Sequence, residues 1–256
     1  MTQSWSIGII CFNEKGTIKR VFEEVVQLLE EFGCDAEILL VDDASTDGST
    51  ELIQQIEAAH PKLVRAFYHP TNLGIGAAIS NVYFNSRKEN LVFVPGDGQF
   101  DVSELRPFRT FQRNEYICFY RKENQTYSLF RNILSYFNKL FNRLLLGLSL
   151  RDVNWVKVYK RELVQQMEIQ STSSIIESEI CAKLNTLKVR PREIESKYQE
   201  RTYGTSKGAS LINMIRVGKE LLQLFRLVRL FRRSIRSENH PTRLFLNVHK
   251  SGGMLL

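Results

Sequence analysis

An α/β chain built on a mainly parallel sheet is what the sequence predicts, and three observations predict it. Short apolar runs alternate with stretches of helical periodicity from residue 6 to residue 94, the pattern of successive β-α-β units. Two of those runs end in acidic turns: residues 38–41 lead into Asp42 and Asp43, and residues 91–94 lead through Pro95 and Gly96 to Asp97 and Gln99. Carboxyl ends of strands are where open α/β sheets bind ligands. Finally, the 256 residues have ordinary globular composition and enough length for one large domain.

The elements follow in order. Residues 6–12 read as the first strand and 13–16 as its exit turn. Residues 17–32 place Ile18, Val21, Phe22, Val25, Leu28, Leu29 and Phe32 on one helical face, with Gly33 suited to end the helix. Residues 38–41 are a second strand, and Ser49 is placed to cap a helix reaching about residue 60. Residues 63–68 read as a strand, 75–86 as a helix and 91–94 as a fourth strand. Pro95 and Gly96 stop that strand, since proline cannot donate to a ladder and glycine permits a sharp turn. Beyond residue 101 the alternation weakens. Helices are expected over 103–113, 128–150 and 175–187, and strands over 116–120, 154–159 and 189–198.

The last element is a helix near residues 214–236. Met214, Val217, Leu221, Leu224, Val228, Phe231 and Ile235 follow steps of three and four, flanked by Arg216, Lys219, Arg226, Arg229, Arg232, Arg233 and Arg236. Such a stripe suits an interfacial membrane helix or a helix packed on its own domain or a second copy. Residues 1–208 are expected to form the main domain, and 209–256 a basic helical tail.

Charge is uneven. Residues 1–60 hold three Lys/Arg against twelve Asp/Glu, whereas residues 201–243 hold ten against two. The basic end suits anionic lipid, substrate phosphates or nucleic acid. No aromatic RNA-binding motif accompanies it, so nucleic acid is not expected. Cys11, Cys34, Cys118 and Cys181 lack paired or metal-type spacing and are expected as free thiols. No transmembrane helix and no leader segment are expected.

Two carboxylate-tipped strands suit a ligand that carries a metal or presents many donors, and a sugar nucleotide does both. Mg²⁺ or Mn²⁺ takes one or two protein oxygens plus substrate phosphates. Asp97 with the amide oxygen of Gln99 is such a partial site, although D-G-Q alone is equally a polar turn.

The wider constellation is more specific. I-C-F-N-E at 10–14, V-D-D-A-S-T-D-G-S at 41–49, N-L-G-I-G-A-A at 72–78 and G-D-G-Q-F-D at 96–101 occur in that order. Together they resemble the family 2 glycosyltransferases of the GT-A fold. The closer likeness is to the branch containing dolichol- and polyprenyl-phosphate sugar synthases. R-D-V-N-W-V-K-V-Y-K-R-E at 151–162 and Q-E-R-T-Y-G-T-S-K at 199–207 are similar to later segments of that branch. The resemblance covers roughly residues 5–208.

It implies a GT-A domain and an inverting, metal-dependent sugar transferase using a UDP- or GDP-linked donor. By position it assigns Phe12, Asn13 and Glu14 to the nucleobase pocket, and Asp42 and Asp43 to the base and ribose. Asn72, Gly74, Gly76 and Gly96 fall where backbone approaches the nucleotide, and Asp97 and Gln99 at the metal and diphosphate. Arg121 and Arg131 fall near an acceptor phosphate, with Arg201, Ser206 and Lys207 in a basic loop over the phosphates. The sequence departs from the pattern at Ile10, Ile75, Trp155 and above all Pro95, which stands where the family has the first Asp of its D-x-D. That leaves Asp101 as a partial substitute, or an inactive relative.

The expected acceptor is a polyprenyl phosphate at the cytoplasmic membrane face, with peripheral membrane attachment and self-association as further expectations. The alternatives are a sugar hydroxyl, for which Asp152 and Glu179 are the candidate bases, and a non-enzymatic basic scaffold. Asp152 is also expected to brace Arg151 or a turn.

Overall fold

The computed structural model describes residues 2–121, 140–171, 173, 175–199 and 211–235, with 211–219 by backbone alone. Seven strands form one sheet: β1 (Trp5–Cys11), β2 (Ala36–Asp42), β3 (Val64–Tyr68), β4 (Asn90–Pro95), β5 (Glu115–Arg121), β6 (Lys157–Lys160) and β7 (Arg190–Ser196). Their spatial order is β3-β2-β1-β4-β6-β5-β7. All pairings are parallel except those of β6, which is antiparallel to both neighbours.

This order positions the site. From β1 the chain builds outward through β2 and β3 on one side, then returns to place β4 on the other. The sheet reverses its winding between β1 and β4, and a crevice opens at such a reversal beyond the carboxyl ends of the strands. Because β6 runs backwards, β5 and β7 point the same way as β4. The carboxyl ends of β2, β4, β5 and β7 and the entrance to β6 therefore share one edge.

The helices are α1 (Ile18–Phe32), α2 (Ser49–Ala59), α3 (Ile75–Asn85), α4 (Arg161–Gln165), α5 (Ile176–Thr186) and α6 (Leu211–Ser234). All seven apolar residues expected on the buried face of α1 are buried there. Gly33 closes it at φ +53°, a left-handed conformation that glycine adopts without a Cβ penalty, and donates to Leu29 and Glu30. One buried cluster joins α1 to one sheet face through Ile7, Ile9, Ile38 and Val94. A second joins α3, α5 and α6 to the opposite face through Val82, Tyr83, Tyr159 and Ile180.

Several expectations need correction. The predicted helix over 103–113 is a short 3₁₀ segment, Val102–Phe108. Pro107 lies inside it, removing a donor and clashing with an α-helical turn. Ser49 is the first residue of α2 rather than its cap; Gly48 holds the cap position at φ +97°. The strand expected over 154–159 forms at Lys157–Lys160. Most of the expected 128–150 helix lies outside the described residues; its end is a π-helical turn, Asn142–Leu146, closed by Gly147 at φ +71°. The four cysteines are free thiols, as expected.

From Leu221 onward the apolar stripe of α6 packs against the rest of the chain. Leu224 and Val228 are 0% and 1% exposed within the second cluster, and Leu221, Phe231 and Ile235 pack beside them. Arg232 donates to the Leu146 carbonyl at 2.5 Å, and the Lys183 ammonium lies over the Phe231 ring. The outer face carries the exposed Leu222, Arg226, Arg229, Leu230 and Arg233. Among the described residues, no helix is long and apolar enough to cross a membrane.

Candidate active site

The turn after β1 and the loop after β2 are stitched together. Asn13 takes a left-handed φ of +59°. Its N–H donates to Ser45 Oγ at 2.9 Å, and its Oδ1 accepts from Thr46 N–H at 2.7 Å. The N–H groups of Glu14 and Lys15 donate to Ser49 Oγ and Asp47 Oδ2, each at 3.0 Å. The sequence order N-E-K opposite S-T-D-G-S thus makes one polar rim, with Phe12 and Asn13 half-buried and Glu14 buried.

The adjacent carboxylates divide the labour. Asp42, buried, accepts from Ser45 N–H at 3.2 Å and the Thr50 hydroxyl at 2.6 Å, which shapes the loop after β2. Asp43, also buried, turns to the segment after β3. Its Oδ1 meets His69 Nδ1 at 2.7 Å and Leu73 N–H at 2.8 Å, and its Oδ2 accepts from Gly74 N–H at 2.8 Å. Gly74 caps α3 at φ +91°, and a Cβ there would meet nothing within 4 Å. Its conformation, rather than crowding, calls for glycine. Gly76 is buried in the first turn of α3, and Asn72 is exposed.

Across the reversal, Gly96 leads out of β4. Its N–H donates to the Ile10 carbonyl at 2.9 Å, and its carbonyl accepts from the Thr17 hydroxyl at 2.7 Å. A Cβ on Gly96 would come within 2.7 Å of the Ile10 oxygen, so only glycine allows this approach. Asp97, half-buried, accepts from Gln99 N–H at 3.0 Å. The Gln99 side-chain nitrogen donates to the Tyr198 hydroxyl, and the Gln199 N–H donates to the Gln99 carbonyl at 3.0 Å. With its side-chain nitrogen on Tyr198, Gln99 would offer its side-chain oxygen, Oε1, to a cation. Asp101 does not join it, because its carboxylate caps the 3₁₀ segment through Ser103 N–H at 2.9 Å. A carboxylate plus an amide oxygen is a hard donor pair that fits Mg²⁺ or Mn²⁺. Among the described residues no three His, Cys, Asp or Glu converge, so most ligands of such an ion would be substrate or water oxygens.

At the far side of the same edge, Arg121 donates from Nε to Asp152 at 2.8 Å, and its guanidinium lies 4.6 Å from the Trp155 ring centre. Burial pushes the Asp152 carboxyl up, but Arg121 outweighs it and holds it below the usual aspartate value. Asp152 also accepts from Asn154 N–H at 2.9 Å. It therefore braces Arg121 and its own turn, not Arg151; Arg151 instead donates to the Tyr120 hydroxyl. Trp155 donates to Ser196 Oγ at 3.1 Å and packs against Tyr198, linking Arg121 to the Gln99 turn. Glu179 is fully buried, accepting from Gln170 and Ser171 N–H and from Lys183 Nζ at 2.6 Å. Arg131, Arg201, Ser206 and Lys207 lie outside the described residues.

Sequence reasoning missed the supports of the site. Behind it, Lys157 is fully buried, 3.4 Å from Glu177, and donates to the carbonyls of Val153 and Trp155 at 2.5 and 2.9 Å. Burial works against its charge, but the surrounding acidic groups, Glu177 foremost, together outweigh it and raise the lysine above its ordinary range. Glu177 also accepts from the hydroxyls of Tyr83 and Tyr159, each at 2.6 Å. The signal available was weak: polar residues inside otherwise apolar segments, such as Lys157 in V-K-V-Y. Nothing local in the sequence points to His69 or Tyr198.

Residues 6–167 match the family model described as Glycosyl transferase family 2. The undecaprenyl-phosphate 4-deoxy-4-formamido-L-arabinose transferase of Proteus mirabilis (strain HI4320) is 26% identical over 223 residues, 85% of this chain and 66% of that protein. A dolichyl-phosphate beta-glucosyltransferase of Trichomonas vaginalis is 31% identical over 99 residues, 37% of this chain and 29% of that protein. The chain spans 66% of the length of the first of these relatives. Among solved structures, mannosyl-3-phosphoglycerate synthase from Rubrobacter xylanophilus superposes with a TM-score of 0.62 at 14% identity, covering 93% of this chain and 76% of that one. Glucosyl-3-phosphoglycerate synthase from Mycobacterium tuberculosis, in complex with Mn²⁺, UDP and phosphoglyceric acid, gives 0.59 at 16%, covering 88% and 78%. The fold is GT-A, as expected.

Proposed function

The chain belongs to glycosyl transferase family 2, and from that premise we propose that it transfers a sugar, with inversion, from a UDP- or GDP-linked donor to a polyprenyl phosphate. The observation that carries the reading is the placement of Asp97 at the winding reversal, beside the polar rim of β1 and β2. The donor nucleotide lies over the Asn13, Ser45 and Gly74 turns, with its diphosphate toward Asp97 and Gln99. A divalent ion held there supplies neutralisation of the charge that develops on the leaving diphosphate. The Gly96 and Gly74 turns bring backbone close to the nucleotide, and Trp155 and Tyr198 wall the site toward Arg121.

One observation favours a phosphate acceptor over a sugar hydroxyl. A hydroxyl needs a positioned general base, whereas a phosphate monoester, with a second pKa near ~6, is largely dianionic at neutral pH. Both candidate bases are engaged elsewhere: Asp152 with Arg121, and Glu179 with two backbone donors and Lys183. An acceptor phosphate oxygen attacks the anomeric carbon, the bond to the nucleotide diphosphate breaks on the opposite face, and no proton has to be removed. The activities of the undecaprenyl- and dolichyl-phosphate relatives support the same acceptor class. The outer arginines of α6 support a peripheral position on an anionic membrane.

The test incubates the protein with UDP- and GDP-sugars, Mn²⁺ and a polyprenyl monophosphate, and follows sugar in the lipid phase. Lipid-linked sugar that disappears in Asp97→Asn, with the fold intact by circular dichroism, is the expected result. Transfer to free glycan hydroxyls with no lipid product would overturn it.

A further inference from the structure

The segment between β3 and α3 is held by a relay that starts inside α3 and ends on the second motif carboxylate. Asn85 Nδ2 donates to Asn81 Oδ1 at 2.8 Å, which commits that oxygen. The Asn81 amide nitrogen is then the group facing His69 Nε2, at 3.4 Å. With Nε2 accepting from Asn81, the tautomer that fits carries its proton on Nδ1. That Nδ1–H is directed at Asp43, 2.7 Å away, in a contact whose side chains are 9% and 6% exposed. Asp43 thus collects His69, Leu73 N–H and Gly74 N–H on one carboxylate. The His69 N–H also donates to the Asp42 carbonyl at 2.9 Å.

We propose that His69 and Asn81 are positioning residues for the donor nucleotide, fixing the 72–74 turn through Asp43. Three donors on its two oxygens make Asp43 a strut for that turn first. Its ligand-facing work is done by the backbone it holds, at the point where Gly74 opens α3. The effect belongs to nucleotide affinity and not to the chemical step, because none of the relay atoms lies on the Asp97 side of the crevice. The inference rests on the reading of this edge as a nucleotide-sugar site.

The experiment is calorimetric titration of UDP and of GDP in the presence of Mn²⁺, alongside donor KM and kcat. His69→Leu removes one hydrogen bond to a buried carboxylate and should weaken nucleotide binding about tenfold. The donor KM should rise in step, with turnover at saturating donor held. His69→Asn, whose amide nitrogen can stand near the Nδ1 position, should restore most of the affinity. If His69→Leu does not fold, Asn81→Leu serves, with an expected loss of a few-fold. Affinities unchanged in the folded variants overturn the relay while leaving the transferase reading intact. A fall in kcat at unchanged nucleotide affinity also overturns it. Wild-type protein that binds neither nucleotide overturns both.

Discussion

Replacing Glu177 by Gln removes the carboxylate that pairs with a lysine without solvent contact. Lys157 is 0% exposed, and Glu177, 2% exposed, is 3.4 Å away. Removing one partner of such a pair destabilises a protein by about 3–5 kcal/mol, because the other charge stays buried. The carboxamide still offers an oxygen to one of the two tyrosines. The other loses a charged acceptor at 2.6 Å, about 1 kcal/mol more. The expected loss is about 5 kcal/mol, a large share of the roughly 5–15 kcal/mol by which folded proteins are stable.

Urea unfolding followed by tryptophan fluorescence reads this as a lower midpoint. Adding Lys157→Met to the same chain should recover most of the loss, since neither charge is then left alone. Lys157 is raised in the folded state, so its stabilising contribution is present below the ordinary lysine value and is lost as pH rises through the raised one. Wild type should therefore lose stability in strong alkali, and the double variant should show less of that dependence. A loss under about 1 kcal/mol in Glu177→Gln, or a double variant no better than the single one, would refute the reasoning.

Asp97→Asn should abolish Mn²⁺-dependent transfer while leaving the urea midpoint near wild type, because the side chain lies half-buried in a turn. Asp152 is lowered by Arg121, so its contribution is present above the ordinary aspartate value and is lost as pH falls through the lowered one. Thermal melts against pH should show that acid-side loss in wild type and a smaller one in Asp152→Asn. Ending the chain at residue 210 should destabilise it by about 3–6 kcal/mol, counting Leu224 and Val228 alone. Membrane binding is better tested by Arg226→Gln with Arg229→Gln and Arg233→Gln; these should release the protein from anionic vesicles, each exposed cation contributing about 1 kcal/mol at the surface.

The first half of the fold was legible because its signals are local. α1 announces itself by an uninterrupted stripe, and each of the first four strands is a bounded apolar run. The second half was harder. Pro107 broke a pattern that otherwise looked helical, and β6 is four residues long inside a segment that begins as a turn. At the site, positions were readable and partners were not. Asp42 and Asp43 stand where the motif puts them, but one carboxylate faces Thr50 and the other His69, a choice set by backbone direction at a strand end. Arg121 meets Asp152 across 31 residues and Tyr83 meets Glu177 across 94, distances over which sequence spacing carries no signal.

The reversed strand β6 has a consequence for how such a protein can be recombined. Within the sheet, and among the described residues, those up to Pro95 are joined to those from Glu115 onward only where Asn90, Leu91 and Val92 pair with Lys160, Tyr159 and Val158. The donor-side strands and the strands carrying Arg121 and Tyr198 are thus two blocks that share one short row of rungs. A chimera crossing over near residues 109–114 would need to preserve that row and the Gln99–Tyr198 clasp, and little other main-chain pairing. Under the proposed function, such a chimera should carry acceptor preference with the second block and leave donor preference with the first.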